Sequence, residues 1–544
     1  MRGHNLMRIR ADILRRAAAS LRRDRKGSVA VIFAVALVPV LIAAGVGIDM
    51  TRALASRQNL QDALDSTALA LAHMPSDSTQ DDLEIEGDKW LHANLNDKAL
   101  GAVDLDVVPG QGEIVLNASS SVPTTLTALA GFTTFPVAAH STVKWGVGHV
   151  EVALVLDNTG SMEGKKLTSL VAAGKSLVKT LLASNTAAEP DAVKIAIVPF
   201  SNTVNIGSSY SNQTWMDSKA EAYAGTSADI FSTNPYNGQA IDRFTLYSNL
   251  KVNWAGCVEA RPRYVNGVEK NYDISDETPS PTAAGTRIVP MFAPDEPDDQ
   301  KWGGDLYANN YLDDATSSSQ FKTKQGNPAK YYPTTVSCGR RCTTTKDPEL
   351  TGTPSSNFGP NYGCAIAPVQ RLTTDKTVLD SLLDKMVATG NTNVPIGLFW
   401  GWMALKPGQP FGDGVAYNKP DVTKIVIVLT DGANQSGFGS YVNQENQSLY
   451  SGLGYAWQKL LNTAGASNMD SVLDDREAKI CANMKAKGVV IYAVPMEVTD
   501  KTAKKVLQGC ASSAENYLAV DKASDLEATF NQIAGSIGNL RIAQ

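Results

Sequence analysis

EVALVLDNTGSM, Glu151 to Met162, runs from an unbroken apolar stretch, Val152 to Leu156, straight into a loop made only of Asp, Asn, Thr, Gly and Ser. An apolar run without alternation reads as a strand buried on both faces, and the polar residues as the loop at its carboxyl end. Downstream, Leu167, Leu170, Val171, Gly174, Leu177 and Leu181 fall on one helical face, and VKIAIVPF, Val193 to Phe200, is a second uninterrupted strand. Strand, helix and strand of this kind predict a mostly parallel sheet covered by helices on both faces.

The rhythm stops from about 205 to 371, a stretch rich in Tyr, Asn, Pro, Ser, Thr and acid. A structureless loop of that length does not belong in a compact domain, so it reads as an inserted subdomain. Regularity returns with a helix through Leu379, Leu382, Leu383 and Met386, the loop GNTNVPIG, a helix through Trp400 and Trp402, and the strand KIVIVLTDGAN. The two tryptophans read as packing residues. A second polar insertion, about 435–470, precedes a helix around Ile480 to Met484, the strand VVIYAVPM and a closing helix, Leu526 to Ile537. The expected core is α/β, a doubly wound, mostly parallel sheet over 149–544.

Upstream, eight Arg and one Lys against Asp12 and Asp24 make 1–27 a basic head on a chain of net charge −6. Ser28 to Met50 is free of charge until Asp49 and matches the roughly 20 apolar residues a helix needs to cross a bilayer. A retained transmembrane helix is expected, its basic flank in the cytoplasm and the rest of the chain outside it. The rival is a cleaved signal peptide, whose apolar region is usually shorter. Leu60, Leu64, Thr67 and Leu71 then recur at helical spacing, and alternation from about Asp104 to Trp145 predicts strands, so 51–148 reads as a stalk with a small α+β module.

All six cysteines, Cys257, Cys338, Cys342, Cys364, Cys481 and Cys510, lie in the part expected to be exported, where disulfides form. Cys481 is expected to pair with Cys510 and the other four among themselves, the alternative being a four-cysteine zinc site around Cys338-Gly-Arg-Arg-Cys342. Trp254 to Cys257 and the acidic Asp295, Glu296, Asp298 and Asp299 read either as partner or calcium contacts or as parts that tie the insertion down and face solvent.

Three loops carry the chemistry: Asp157 to Ser161, Asn391 to Asn393, and Thr430 to Gly432. They offer two carboxylates and four hydroxyls, hard oxygen donors that suit Mg²⁺ first and Mn²⁺ or Ca²⁺ next. Such a site keeps an open position that a partner's carboxylate can fill, which is binding without turnover. The pattern resembles the metal-ion-dependent adhesion site of von Willebrand factor A domains. That resemblance implies Asp157, Thr159 and Ser161 as first-loop ligands, Thr392 as the second and Asp431 as the third, with Thr159 where Ser is more usual. The basic head, GSVAVIF, QDALDSTALALA, WAGCVEARP and FAPDEPDD further resemble the TadE/TadG-like proteins of tight-adherence pilus assembly. Prepilin-type processing would want a Glu where this chain has Ile32, which points to an uncleaved anchor.

Enzyme chemistry is not expected: His4, His73, His92, His140 and His149 all precede the loops, and no phosphate-cradling Gly-rich motif with Lys is present. Nucleic acid is not an expected partner of this acidic chain. The expected function is a single-pass component of the cytoplasmic (inner) membrane, in pilus assembly, that grips a carboxylate-bearing protein partner through the metal. The alternative is a surface adhesin using the same site on an external ligand.

Overall fold

Gly27–Leu71 forms one continuous helix, α1, unbroken at Pro39. The computed structural model describes residues 27–542 except 73, 75–77, 96–97, 111–112, 145–147, 188, 225, 227, 232–236, 299–308, 315–320, 340–341, 420, 438–445 and 462–467. The basic head, residues 1–26, lies outside the described residues. Two compact units divide the chain, Met1–Gly146 and Val147–Gln544.

In the first unit α1 changes character along its length. Large apolar side chains from Ile32 to Ile48 stand exposed, Val35 at 69%. From Gly27 to Ile48 the helix is about 33 Å long at 1.5 Å per residue, enough for a bilayer core. Asp49 ends that segment: its carboxylate is buried and accepts the amides of Thr125 at 3.1 Å, Leu126 at 2.9 Å and Thr127 at 2.8 Å, and the Thr127 hydroxyl at 2.9 Å. The apolar segment and the stalk are one helix, as the helical spacing of Leu60, Leu64, Thr67 and Leu71 beyond the apolar run predicts, and only its surroundings change. Leu60, Leu64, Thr67 and Leu71 are all buried, as their spacing requires. They pack on one face of an antiparallel meander, β1 (Asp104–Gly110), β2 (Glu113–Pro123) and β3 (Thr134–Lys144), through Val107, Leu116, Val122 and Ala139. A second helix, α2 (Gln80–Asn94), adds Leu83 and Leu91; it starts where Thr79 and Asp82 cap one another's backbone amides.

The second unit is built on a five-stranded sheet of β4 (His149–Asp157), β5 (Val193–Phe200), β6 (Gln370–Thr373), β7 (Val422–Thr430) and β8 (Val490–Pro495). Their order is β6-β5-β4-β7-β8, all parallel except the edge strand β6. Period two sorts the side chains. Val152, Leu154 and Leu156 join a layer with α3 (Lys165–Leu182), α4 (Lys376–Leu383) and α8 (Leu526–Ile542), while Ala153 and Val155 join the opposite layer with α5 (Val394–Leu405), α6 (Met469–Ala486) and α7 (Lys501–Cys510). Burial on both faces is why these strands carry no polar alternation. Every residue of α5 is buried, Trp400 and Trp402 included. It lies close to the sheet because Gly397 and Gly401 have no Cβ; one added there would come within 2.6 Å of Phe200 and 2.5 Å of Val155.

The insertion is tied into the main core as well as forming small apolar clusters of its own, such as the one around Cys257 and Cys364. Trp215, Phe231, Phe292 and Tyr311 belong to the same apolar cluster as Phe399 and Trp400. Cys257–Cys364 and Cys481–Cys510 are disulfides and Cys338 is also disulfide-bonded, so these thiols are not ligands of a zinc ion. Nor is the acidic run solvated. Asp295 accepts the amides of Tyr311 and Leu312 and pairs with Lys330 at 2.6 Å, and Glu296 accepts from the Asn309 amide and from Asn446 Nδ2. Asp298 is held by Asn310 and the Asp314 amide; Asp299 lies outside the described residues. These carboxylates are satisfied by internal donors, and through Asn446 they tie the second insertion to the first.

Candidate metal site

An open parallel sheet leaves a crevice beyond the carboxyl ends of its strands where the strand order reverses. Here the order reverses at β4, with β5 and β6 to one side of it and β7 and β8 to the other, so the crevice opens between the ends of β4 and β7. Asp157 is the last residue of β4 and Asp431 follows the last residue of β7.

Asp157 is completely buried. Its Oδ1 accepts the Thr159 amide at 2.8 Å and its Oδ2 accepts the Thr430 hydroxyl at 2.6 Å. The Thr159 and Ser161 hydroxyls lie 3.0 Å apart, and Ser161 donates to Asp431 Oδ1 at 2.7 Å. Four of the five expected ligands therefore form one hydrogen-bonded chain spanning two loops 270 residues apart. Thr392 stands on the adjoining loop, which is laced to the first by Gly160 N–H to the Gly390 carbonyl at 3.0 Å and Thr389 N–H to the Asn158 carbonyl at 2.7 Å. Its side chain is buried, and its hydroxyl is outside that chain. Burial pushes the Asp157 carboxyl up to about 6, the hydrogen bonds from Thr430 and Thr159 holding it down in part and the like charge of Asp431 adding to the rise. Two carboxylates converging out of water form a place where positive charge is stabilised.

A positive group already answers to that field. Lys166, on the first turn of α3, reaches Asp431 Oδ2 at 2.7 Å and lies 3.7 Å from Glu497. The sequence reading missed Lys166. Its position five residues past Ser161 fits the helix that follows the first loop, but nothing local pairs it with a carboxylate 265 residues on. Thr430 is a further missed role: it was counted among the hydroxyls and serves as the donor that holds Asp157. Among the described residues no group of three or more His, Cys, Asp or Glu side chains converges as a metal cage. The donor set that does converge is two carboxylates and hydroxyls, which matches a hard divalent ion that keeps waters and rejects the softer metals.

Behind the Thr392 loop, Asn434 Oδ1 accepts the Val394 amide at 2.9 Å while its Nδ2 donates to Asp474 at 2.9 Å and Glu477 Oε2 at 2.7 Å. Burial pushes the Glu477 carboxyl up to about 8, with Asn434 offsetting part of the rise and Asp474 adding to it. The folded chain therefore holds a proton that the unfolded chain releases above about 4.5. Stability from this group is full below that value and is lost as pH rises through about 8. In Glu477→Gln, which copies the protonated form, the fall in Tm between about pH 5 and about pH 9 should shrink by several degrees. Identical Tm profiles for the two proteins would show that Glu477 titrates normally.

Residues 27–73 match the TadE/G-like Flp pilus-assembly family. That match covers the apolar part of α1 and the stretch that docks on the meander. No curated protein matches the sequence. Among solved structures, the pilus adhesin SpaC from Lactobacillus rhamnosus GG is similar at 12% identity and a TM-score of 0.29, over 80% of this chain and 34% of its own. The vWF domain of the type V pili tip protein Mfa5 from Porphyromonas gingivalis is similar at 10% identity and a TM-score of 0.31, over 72% and 95%. The pilus adhesin RrgA from Streptococcus pneumoniae is similar at 11% identity and a TM-score of 0.29, over 80% and 49%. This chain thus spans about a third of the first of these proteins and half of the last. The doubly wound fold stands on the strand order and the register given above.

Proposed function

We propose that this chain is a membrane-anchored component of pilus assembly that binds a protein partner through a divalent cation, Mg²⁺ in the first instance, at the crevice between β4 and β7. The observation that carries the reading is the convergence of Asp157, Thr159, Ser161 and Asp431 in one hydrogen-bonded chain. Asp157, Thr159, Ser161, Thr392 and Asp431 would hold the ion directly or through water, and the ion would supply an electrophilic position for a carboxylate of the partner. The protein's own part is to bury Asp157 and to fix the hydroxyls. Binding of this kind requires no turnover, so the chain acts without catalysis.

The family match over α1 supports the pilus setting. Placement of the basic head in the cytoplasm, with the chain after Asp49 outside an inner membrane, is supported by the eight Arg and one Lys before the helix and by disulfides in the second unit, since thiols pair in oxidising compartments.

Calorimetric titration of Mg²⁺, Mn²⁺ and Ca²⁺ into the full chain in detergent tests the reading. Saturable binding with one ion per chain is expected, and a folded protein that takes up none of the three would end it. Lys166 sharpens the test. Its ammonium occupies the electrostatic place of a cation at Asp431, so Lys166→Met should bind Mg²⁺ on the order of tenfold more tightly, the equivalent of about 1.4 kcal/mol. Unchanged or weaker binding in that variant would show that the amine does not compete with the metal.

A further inference from the structure

Behind the Thr392 loop, at the start of α5, lies a cavity of about 20 Å³ whose wall includes Arg261, Asp273, Asn393, Phe399 and Arg476. A space of that size holds a single water or an ion of similar radius.

Its two arginines are buried and incompletely satisfied. Arg261 is 2% exposed; its Nη1 donates to the carbonyls of Glu277 at 3.0 Å and Ser275 at 3.5 Å, and its plane lies over the Phe399 ring at 5.1 Å. Nε and Nη2 of Arg261 have no protein partner. Arg476 is fully buried and forks through Nε and Nη2 onto Asp273, both at 2.6 Å, with Nη2 also on Asn271, while its Nη1 has no partner. A guanidinium stays charged in a protein, so three unmet nitrogens on two buried cations are a substantial cost unless something accepts from their N–H groups.

The charges do not close on protein groups. Arg261 and Arg476 bring two positive charges to the cavity wall and Asp273 one negative, which leaves one positive charge over. Burial pushes the Arg261 guanidinium down to about 9, the charges of Glu277 and Asp276 offsetting only part of the fall, and Asp276 is shared with Lys406. Asp276 also lies 3.8 Å from Lys487. The amino end of α5, twelve residues long, adds the positive end of its dipole at Asn393.

We propose that this cavity binds one monovalent inorganic anion of chloride size, held by the unmet N–H groups of Arg261 and Arg476, as a counter-ion built into the core behind the Thr392 loop. One negative charge closes the balance, and the volume rejects phosphate, sulfate and organic carboxylates. The proposal is independent of whether the crevice binds a metal, because the two sites share no side chain.

Thermal unfolding of the full chain in detergent, with a chelator throughout, tests it in sodium chloride, sodium bromide and sodium gluconate at equal ionic strength. A saturable rise in Tm of a few degrees in chloride and bromide, absent in gluconate, is expected. Arg261→Met should abolish that difference while the response to ionic strength alone persists. Crystals of the wild-type chain soaked in bromide decide the matter even if the variant fails to fold: an anomalous peak between Arg261 and Arg476 is the expected result. No peak there, or equal Tm in chloride and gluconate, would overturn the proposal and leave a buried water in the cavity.

Discussion

Exchanging Asp431 for asparagine is expected to weaken divalent-cation binding by at least about a hundredfold without unfolding the protein, and Asp157→Asn should do the same. Each variant keeps the shape and one of the two acceptor oxygens of the original: residue 431 would still accept from Ser161, and residue 157 from the Thr159 amide, while the oxygen that takes Lys166 or Thr430 becomes an amide NH2. What is lost is one of only two carboxylate charges in the donor set, and Mg²⁺ sites depend on such charges to offset dehydration. A second consequence separates loss of the ligand from loss of the fold. Burying Asp157 beside a like charge costs stability while no cation is present, so the metal-free Asp157→Asn protein should melt at or above the wild type. Calorimetry with Mg²⁺ and melting curves in chelator measure both. Full metal binding in either variant would place the ion elsewhere, and a large drop in metal-free Tm would make these residues structural.

The largest stability effect is expected at the disulfide that pins the insertion. Cys257 and Cys364 are 107 residues apart, and both are buried against Met291, Ala293, Ile366, Tyr450 and Tyr455. Chain-entropy arithmetic gives about 5 kcal/mol for a loop of that length, against about 3.5 kcal/mol for Cys481–Cys510, whose separation is 29. Replacing Cys257 and Cys364 by serine should therefore lower the unfolding free energy by more than the same change at Cys481 and Cys510. It should also loosen the segment that carries Arg261. Denaturant unfolding of the two double variants ranks them, and the reverse order would mean that the long loop retains structure when unfolded.

How legible all this was follows from what each feature depends on. The strands of the sheet were readable because burial on both faces demands uninterrupted apolar runs, as in Val152 to Leu156 and Ile425 to Leu429. Leu60, Leu64, Thr67 and Leu71 were readable for the same kind of reason, one face of a helix being buried. The edge strand β6 was not. Its four half-buried residues carry no pattern, and its antiparallel direction is set by its pairing with β5. The capped helix α2 was likewise passed over, although Thr79 followed by Asp82 is a local start signal.

The loops bearing Asp157, Thr392 and Asp431 could be named from sequence because they follow or precede those readable elements. Chain order and the reversal at β4 then leave them one place to meet.

Sequence alone determined the doubly wound sheet, the apolar helix and which hydroxyls and carboxylates the three loops carry, since each is a matter of composition and period within a short window. Tertiary structure alone decided that the insertion shares the core, that Lys166 answers Asp431, and that Asp295 pairs with Lys330. It alone also left Arg261 and Arg476 facing a cavity with one charge in excess. Those outcomes turn on which charged groups meet after burial. Partners there stand 35 to 265 residues apart, and no local pattern encodes so distant a pairing.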